Sequence, residues 1–265
     1  LALGLSLTVR QIADPLRSPR ILAALLIGNF LLVPGLAFLL LRVIPLEPGF
    51  DIGIILLATA AGAPFLPKLI ELAKGAIALS VGAMILLMVI TIFYLPLVLP
   101  LLLPGTAVNP IEVAMPLVFF MLTPLAMGLF TAARFPDMAW RGQPILSKLS
   151  SLGLMVGFVA LLIVNANILL DAIGNGAMLA AALLIVGAFL IGWLLAGANR
   201  YLRTVLGLAA AQRNLSAALL VAGAIFSDPY VVVMVMVGAV LMLGGLLTTA
   251  KVIGRRAHSI QPVQD

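Results

Sequence analysis

Cysteine is absent from this sequence, and histidine occurs once, at His258 in the final stretch. No disulfide framework, thiolate metal site or thiol chemistry is available. The long apolar runs hold no histidine and no paired carboxylates, so they lack groups for hydrolysis or a proton relay. No catalytic residue and no metal ligand is expected, and the chain is not read as an enzyme. Charge is also scarce. Asp, Glu, Lys and Arg make up 9% of the residues and hydrophobic types 64%, whereas a soluble domain is about a quarter charged. That excludes a soluble globular fold. The apolar runs do not alternate over about ten residues, which excludes a transmembrane barrel. What remains is an all-α membrane protein whose helices satisfy their own backbone in the lipid bilayer. The net charge of +6 is read as basic loops, not as a surface for nucleic acid.

Eight stretches reach the roughly 20 apolar residues needed to cross a bilayer: 21–44, 52–73, 76–103, 111–133, 149–170, 177–198, 202–225 and 231–250. Ahead of them, "LALGLSLTV" is too short to span and reads as the end of a helix begun upstream. The loop charges alternate. Arg10, Arg17, Arg20, Lys74, Arg134, Arg141, Lys148, Arg200, Arg203, Lys251, Arg255 and Arg256 fall on one side. Arg42 falls on the other, with Glu47, Asp51, Glu112, Asp171 and Asp228. By the positive-inside rule the first side is cytoplasmic, and with it the C-terminal tail. Two cations remain, Lys68 and Arg213, and both lie inside spans.

Both spans carry signs of a break. "ATAAGAPFLPKLIELAKG" holds Gly62, Pro64 and Pro67. Each proline removes a backbone donor and clashes with the preceding turn. Two half-helices are expected, interrupted at 63–66, with Pro67 opening the second half. "AAQRNLSAAL" has no proline, but Gln212, Arg213 and Asn214 stand mid-span, where an arginine costs about 3 kcal/mol even on insertion scales. They must face protein or a water-filled cavity. Asn214 and Ser216 are candidate caps for a restarting half-helix. Interrupted spans at matching positions in two halves mark the midplane site of secondary transporters. The chain divides accordingly into 1–105 and 106–265, read as inverted repeats.

"LALGLSLTVRQIADPLRSPR", "LIGNFLLVPGLAFLL" and "LAKGAIALSVGAMILL" resemble the second helix and its loop, the third helix, and the junction of the fourth and fifth helices in the bile acid:sodium symporter family. The resemblance implies ten helices in two inverted five-helix repeats, with the fourth and ninth broken and crossing, and places the family's first helix ahead of this chain. It also exposes departures. The family's Ser-Asn sodium ligands fall on Leu66 and Pro67, and a threonine ligand falls on Met84. A serine ligand is retained as Ser80, and a glutamine is shortened to Asn29. The family's Gln-Asn pair is matched by Gln212 or Asn214. The glutamate before it falls on Leu208 or Ala209.

Sodium is therefore doubtful as a coupling ion, and no cofactor is expected. The expected site is Lys68, Arg213, Gln212, Asn214, Asn29 and Ser80, with fixed cations standing in for sodium and attracting a small organic anion. The implied activity is alternating-access transport across a bacterial inner membrane. A sodium symporter with relocated ligands and a non-transporting sensor or scaffold are the alternatives. A related class, the arsenite exporters, relies on a cysteine that this chain lacks.

Overall fold

The computed structural model describes residues 18–103 and 108–258. The apolar stump at 1–9, Arg10, Arg17 and the tail beyond 258 lie outside the described residues, as does the side chain of His258. Helices account for the architecture, and no strand occurs among the described residues. In chain order they are α1 (Pro19–Val43), α2 (Pro48–Thr59), α3 (Leu66–Leu72), α4 (Ile77–Leu102), α5 (Pro110–Arg134), α6 (Pro136–Val164), α7 (Ala166–Gly174), α8 (Ala177–Leu195), α9 (Arg200–Ala211), α10 (Leu215–Ile225) and α11 (Pro229–His258).

Among the described residues, seven helices are long and apolar enough to cross a membrane, with α9 and α10 counting as one. The pair α2 and α3 covers the expected span 52–73 and is not among the seven. Its halves have 12 and 7 residues, and neither alone covers the hydrocarbon core. Both interruptions expected from the sequence are present, with one boundary moved. The first runs over 60–65, not 63–66, and Leu66 precedes Pro67 in the restarting helix. The proline tolerates either of the first two positions, where no intrahelical donor is needed. The second interruption lies at 212–214, as expected.

Helix α6 differs more. It opens at Pro136, well before the apolar run at 149, so Arg141 and Lys148 ride on a helix and not in a loop. Residues such as Met138, Ala139, Arg141 and Gln143 favour helix, and apolarity marks only the part within lipid. Its 29 residues rise about 44 Å, longer than a hydrocarbon core of about 30 Å.

Two helices form the interior. Residues from Gly53 to Thr59 of α2 and from Thr204 to Ala211 of α9 are continuously buried, as expected of helices apolar on every face. Helix α2 lies along α11, and α9 along α8. Helix α1 contributes a local distortion. Pro34 has no N–H to offer the Phe30 carbonyl, and the helix widens into a π turn over Gly28–Leu32. The freed Phe30 carbonyl accepts a 2.7 Å hydrogen bond from the Tyr94 hydroxyl of α4.

The first break depends on Gly62. Its φ of +78° suits glycine, and a Cβ there would stand 2.1 Å from the Met88 amide nitrogen of α4. Gly62→Ala is expected to destabilise by about 3 kcal/mol, combining left-handed strain with overpacking. Gly223, which has open space around it, provides the control. Thermal unfolding in detergent of Gly62→Ala and Gly223→Ala checks this. Equal melting temperatures would remove Gly62 from the architecture.

Candidate functional site

A helix that stops leaves its last four carbonyls without intrahelical donors. Here two helices, α2 and α9, stop inside the protein, and their C-terminal ends meet. Arg213 fills the gap between them. Its Nε donates to the Leu57 carbonyl at 2.9 Å, and one terminal nitrogen donates to the Ala58 carbonyl at 2.6 Å. The other terminal nitrogen donates to the Ala210 carbonyl at 2.9 Å and to Asn29 Oδ1 at 2.8 Å. One guanidinium thus closes the ends of both interrupted helices. Each helix C-terminus carries about half a negative charge, so the two together balance the cation between them. Arg213 is 1% exposed, and this balance makes such burial tolerable.

Asn214 does the same work for the backbone. Its amide N–H donates to the Ala60 carbonyl at 2.8 Å, and Nδ2 donates to the Gly62 carbonyl at 3.1 Å. Its Oδ1 accepts from the Ala217 N–H at 3.1 Å and caps α10. The other expected cap, Ser216, is exposed and caps nothing. From α4, Thr91 completes the set. Its hydroxyl accepts from the Ala61 N–H at 3.0 Å and donates to the Ala61 carbonyl at 3.1 Å. Thr91 was not singled out from the sequence. Its signal was a hydroxyl within the apolar run "LLMVITIFY", opposite the glycine of the break.

Asn29 joins the cluster through the π turn that contains it. Its Oδ1 accepts from Arg213, and its Nδ2 donates to the Leu25 carbonyl at 3.0 Å. Gln212 lies in the second break, 7% exposed, and its carboxamide has no hydrogen-bond partner among the described residues. Ser80 is buried but donates to the Ile77 carbonyl of its own helix at 2.6 Å. It makes no hydrogen bond to the cluster. Lys68 corrects the expectation of two cations at the break. It pairs with Glu71 at 2.8 Å, and both side chains are 56% exposed. One turn of α3 places them together on an open face. Arg213 itself is enclosed by carbonyls and does not line an open surface. Pro64 sits in the turn before α3, and Pro67 in its first turn.

Leu66, Met84, Leu208 and Ala209 stand where oxygen ligands were sought, and all four are buried apolar side chains. The described residues also contain no group of three or more His, Asp or Glu side chains that could hold a metal ion.

Broken helices that meet within a bundle of membrane-crossing helices are the framework of a membrane transporter. The model of the sodium bile acid symporter family matches residues 1–172, and the chain belongs to that family. Curated proteins give no match to it. The family assignment makes the chain a transporter of sodium–bile acid symporter type, with a small-molecule substrate and a lipid bilayer as its surroundings. The matched segment ends in α7, so it includes the first break and Asn29 but not Gln212, Arg213 and Asn214.

The hydrogen bonds distinguish the two polar residues outside the breaks. Asn29→Leu leaves a guanidinium donor without its acceptor and is expected to destabilise by about 2 kcal/mol. Ser80→Ala removes a bond within one turn and is expected to cost under about 1 kcal/mol. Paired thermal melts in detergent check the contrast. An equal loss in both variants would place Ser80 in the same network as Asn29.

Proposed function

We propose that this protein transports a small organic anion by alternating access without sodium coupling, and that Arg213 is the fixed cation that replaces the ion. The observation that carries the reading is the guanidinium donating to carbonyls at the C-terminal ends of both α2 and α9. A sodium ion seeks oxygen ligands, about six in comparable hard-cation sites. Four acceptors here face an arginine already. A second cation beside it would be repelled by about 4 kcal/mol at 4 Å and an effective dielectric of about 20. The apolar side chains at 66, 84, 208 and 209 support the same conclusion.

The two broken helices are taken as equivalents in two inverted repeats, 1–105 and 106–265. The basic end of the bundle is taken as cytoplasmic, in a bacterial inner membrane. Arg213 is enclosed, so its task is to hold the breaks together and not to touch the substrate. The unpartnered carboxamide of Gln212 is the group at the breaks left free to receive one. Lys68 and Glu71 present a charged face on α3 that must meet a water-filled cleft, not lipid.

Three variants in proteoliposomes test this, with a radiolabelled bile acid as the probe and equal protein abundance. Uptake by the parent is expected to be the same in sodium and potassium. Arg213→Met lowers the cost of membrane burial but leaves the carbonyls without donors, and its uptake is expected to fall to background. Arg213→Lys keeps the charge without the planar fork and is expected to retain part of the rate. A readout independent of substrate accompanies these. In Arg213→Ala, about 100 mM sodium or guanidinium is expected to raise the melting temperature by several degrees, through binding to the vacated carbonyls. The parent is expected to show no sodium shift. Sodium-dependent uptake by the parent, or normal uptake by Arg213→Met, would refute the reading.

A further inference from the structure

At the basic end of the bundle, away from the two breaks, lies a cavity of about 310 Å³. Its lining is Leu72, Lys74, Lys251, Gly254 and Arg255. It is an open depression on the surface and not an enclosed pocket. Three cations face it and no carboxylate does. None of the three has an ion-pair partner among the described residues.

Two backbone features bring these cations together. Helix α3 ends with the Gly75 N–H on the Ile70 carbonyl at 2.9 Å and the Lys74 N–H on the Glu71 carbonyl at 3.0 Å. That is a Schellman closure, and its left-handed position normally belongs to glycine. Here Lys74 occupies it, with φ +54°, the one positive-φ residue other than glycine among the described residues. The second feature is Gly254. A Cβ there would stand 2.2 Å from the Leu72 carbonyl, so only glycine lets α11 close on the end of α3. That contact sets Lys251 and Arg255, one turn apart on α11, beside Lys74. Like charges at this spacing repel. The positive-inside rule explains why cations collect on this side. It does not explain why three converge on one cavity, one of them in a strained backbone.

We propose that this cavity binds the phosphate group of an anionic lipid headgroup. Its position at the end of an apolar helix favours a lipid over a soluble anion. The apolar run of α11 ends at Ala250, next to Lys251, and the adjacent Val252 is an exposed apolar side chain. The cavity therefore opens where headgroups lie. A bound phosphate would reinforce the contact between the end of α3, half of the first broken helix, and α11.

The test uses the full chain in neutral detergent, with labelled phosphatidylglycerol as the probe and phosphatidylcholine as the comparison. Phosphatidylglycerol is expected to bind and phosphatidylcholine is not. Lys251→Gln and Arg255→Gln are each expected to weaken binding about fivefold, and together with Lys74→Gly about 100-fold. Lys74→Gly is also expected to raise the melting temperature by about 3 °C while weakening the lipid, since glycine relieves the left-handed strain. A cation of the same side outside the cavity, Arg134→Gln, is expected to change nothing. The triple variant binding phosphatidylglycerol like the parent would overturn the proposal. So would complete displacement of the lipid by millimolar inorganic phosphate, which would make the ligand a soluble anion.

Discussion

Everything at the centre of this protein follows from two helices that end inside it. A helix terminus in lipid or in a dry interior exposes carbonyls that must find donors. Helices α2 and α9 both stop there, and one side chain serves both. The Arg213 guanidinium has the donor count and planar spread to reach Leu57, Ala58, Ala210 and Asn29 together. No other side chain presents as many donors in one plane together with a positive charge. The second break gives Asn214 to the first, and α4 lends Thr91. Irregular backbone survives at this depth because each break is the other's hydrogen-bond partner.

Arg213 is a cation that the fold carries on its own chain. A bound metal ion is exchangeable and responds to concentration. A guanidinium tethered to the chain does neither. On the proposed reading, carbonyl ends that could attract an ion hold an arginine of the chain instead. Leu66, Met84, Leu208 and Ala209 fill their positions with packed apolar side chains, and they leave no ring of oxygens behind.

Much of this was legible in the sequence because its signals were local and costly. Prolines inside an apolar run and a Gln-Arg-Asn triplet mid-span have few cheap explanations, and both marked real interruptions. Some of the basic residues do lie near one another: Arg20 and Arg203 both reach Gly197, and Lys74, Lys251 and Arg255 line one depression. What could not be read was direction. Lys68 and Arg213 are both cations inside spans, yet one turns to Glu71 on an open face and the other inward. The carbonyls that receive Arg213 were also invisible, because every residue carries the same carbonyl and tertiary packing decides which ones meet. The polar start of α6 escaped an apolar search for a related reason: helix formation and hydrophobicity are separate properties.

The hydrogen bonds between the breaks join residues about 155 positions apart: Ala58 with Arg213, and Gly62 with Asn214. A ribosome makes the first partner long before the second. At roughly 5–20 residues per second, the carbonyls of α2 wait about 8–30 s for their donors. During that interval the early half of the chain must remain near water, a neighbouring helix or the insertion machinery. The final arrangement of α2 and α3 therefore waits on α9 and α10, which are made after them.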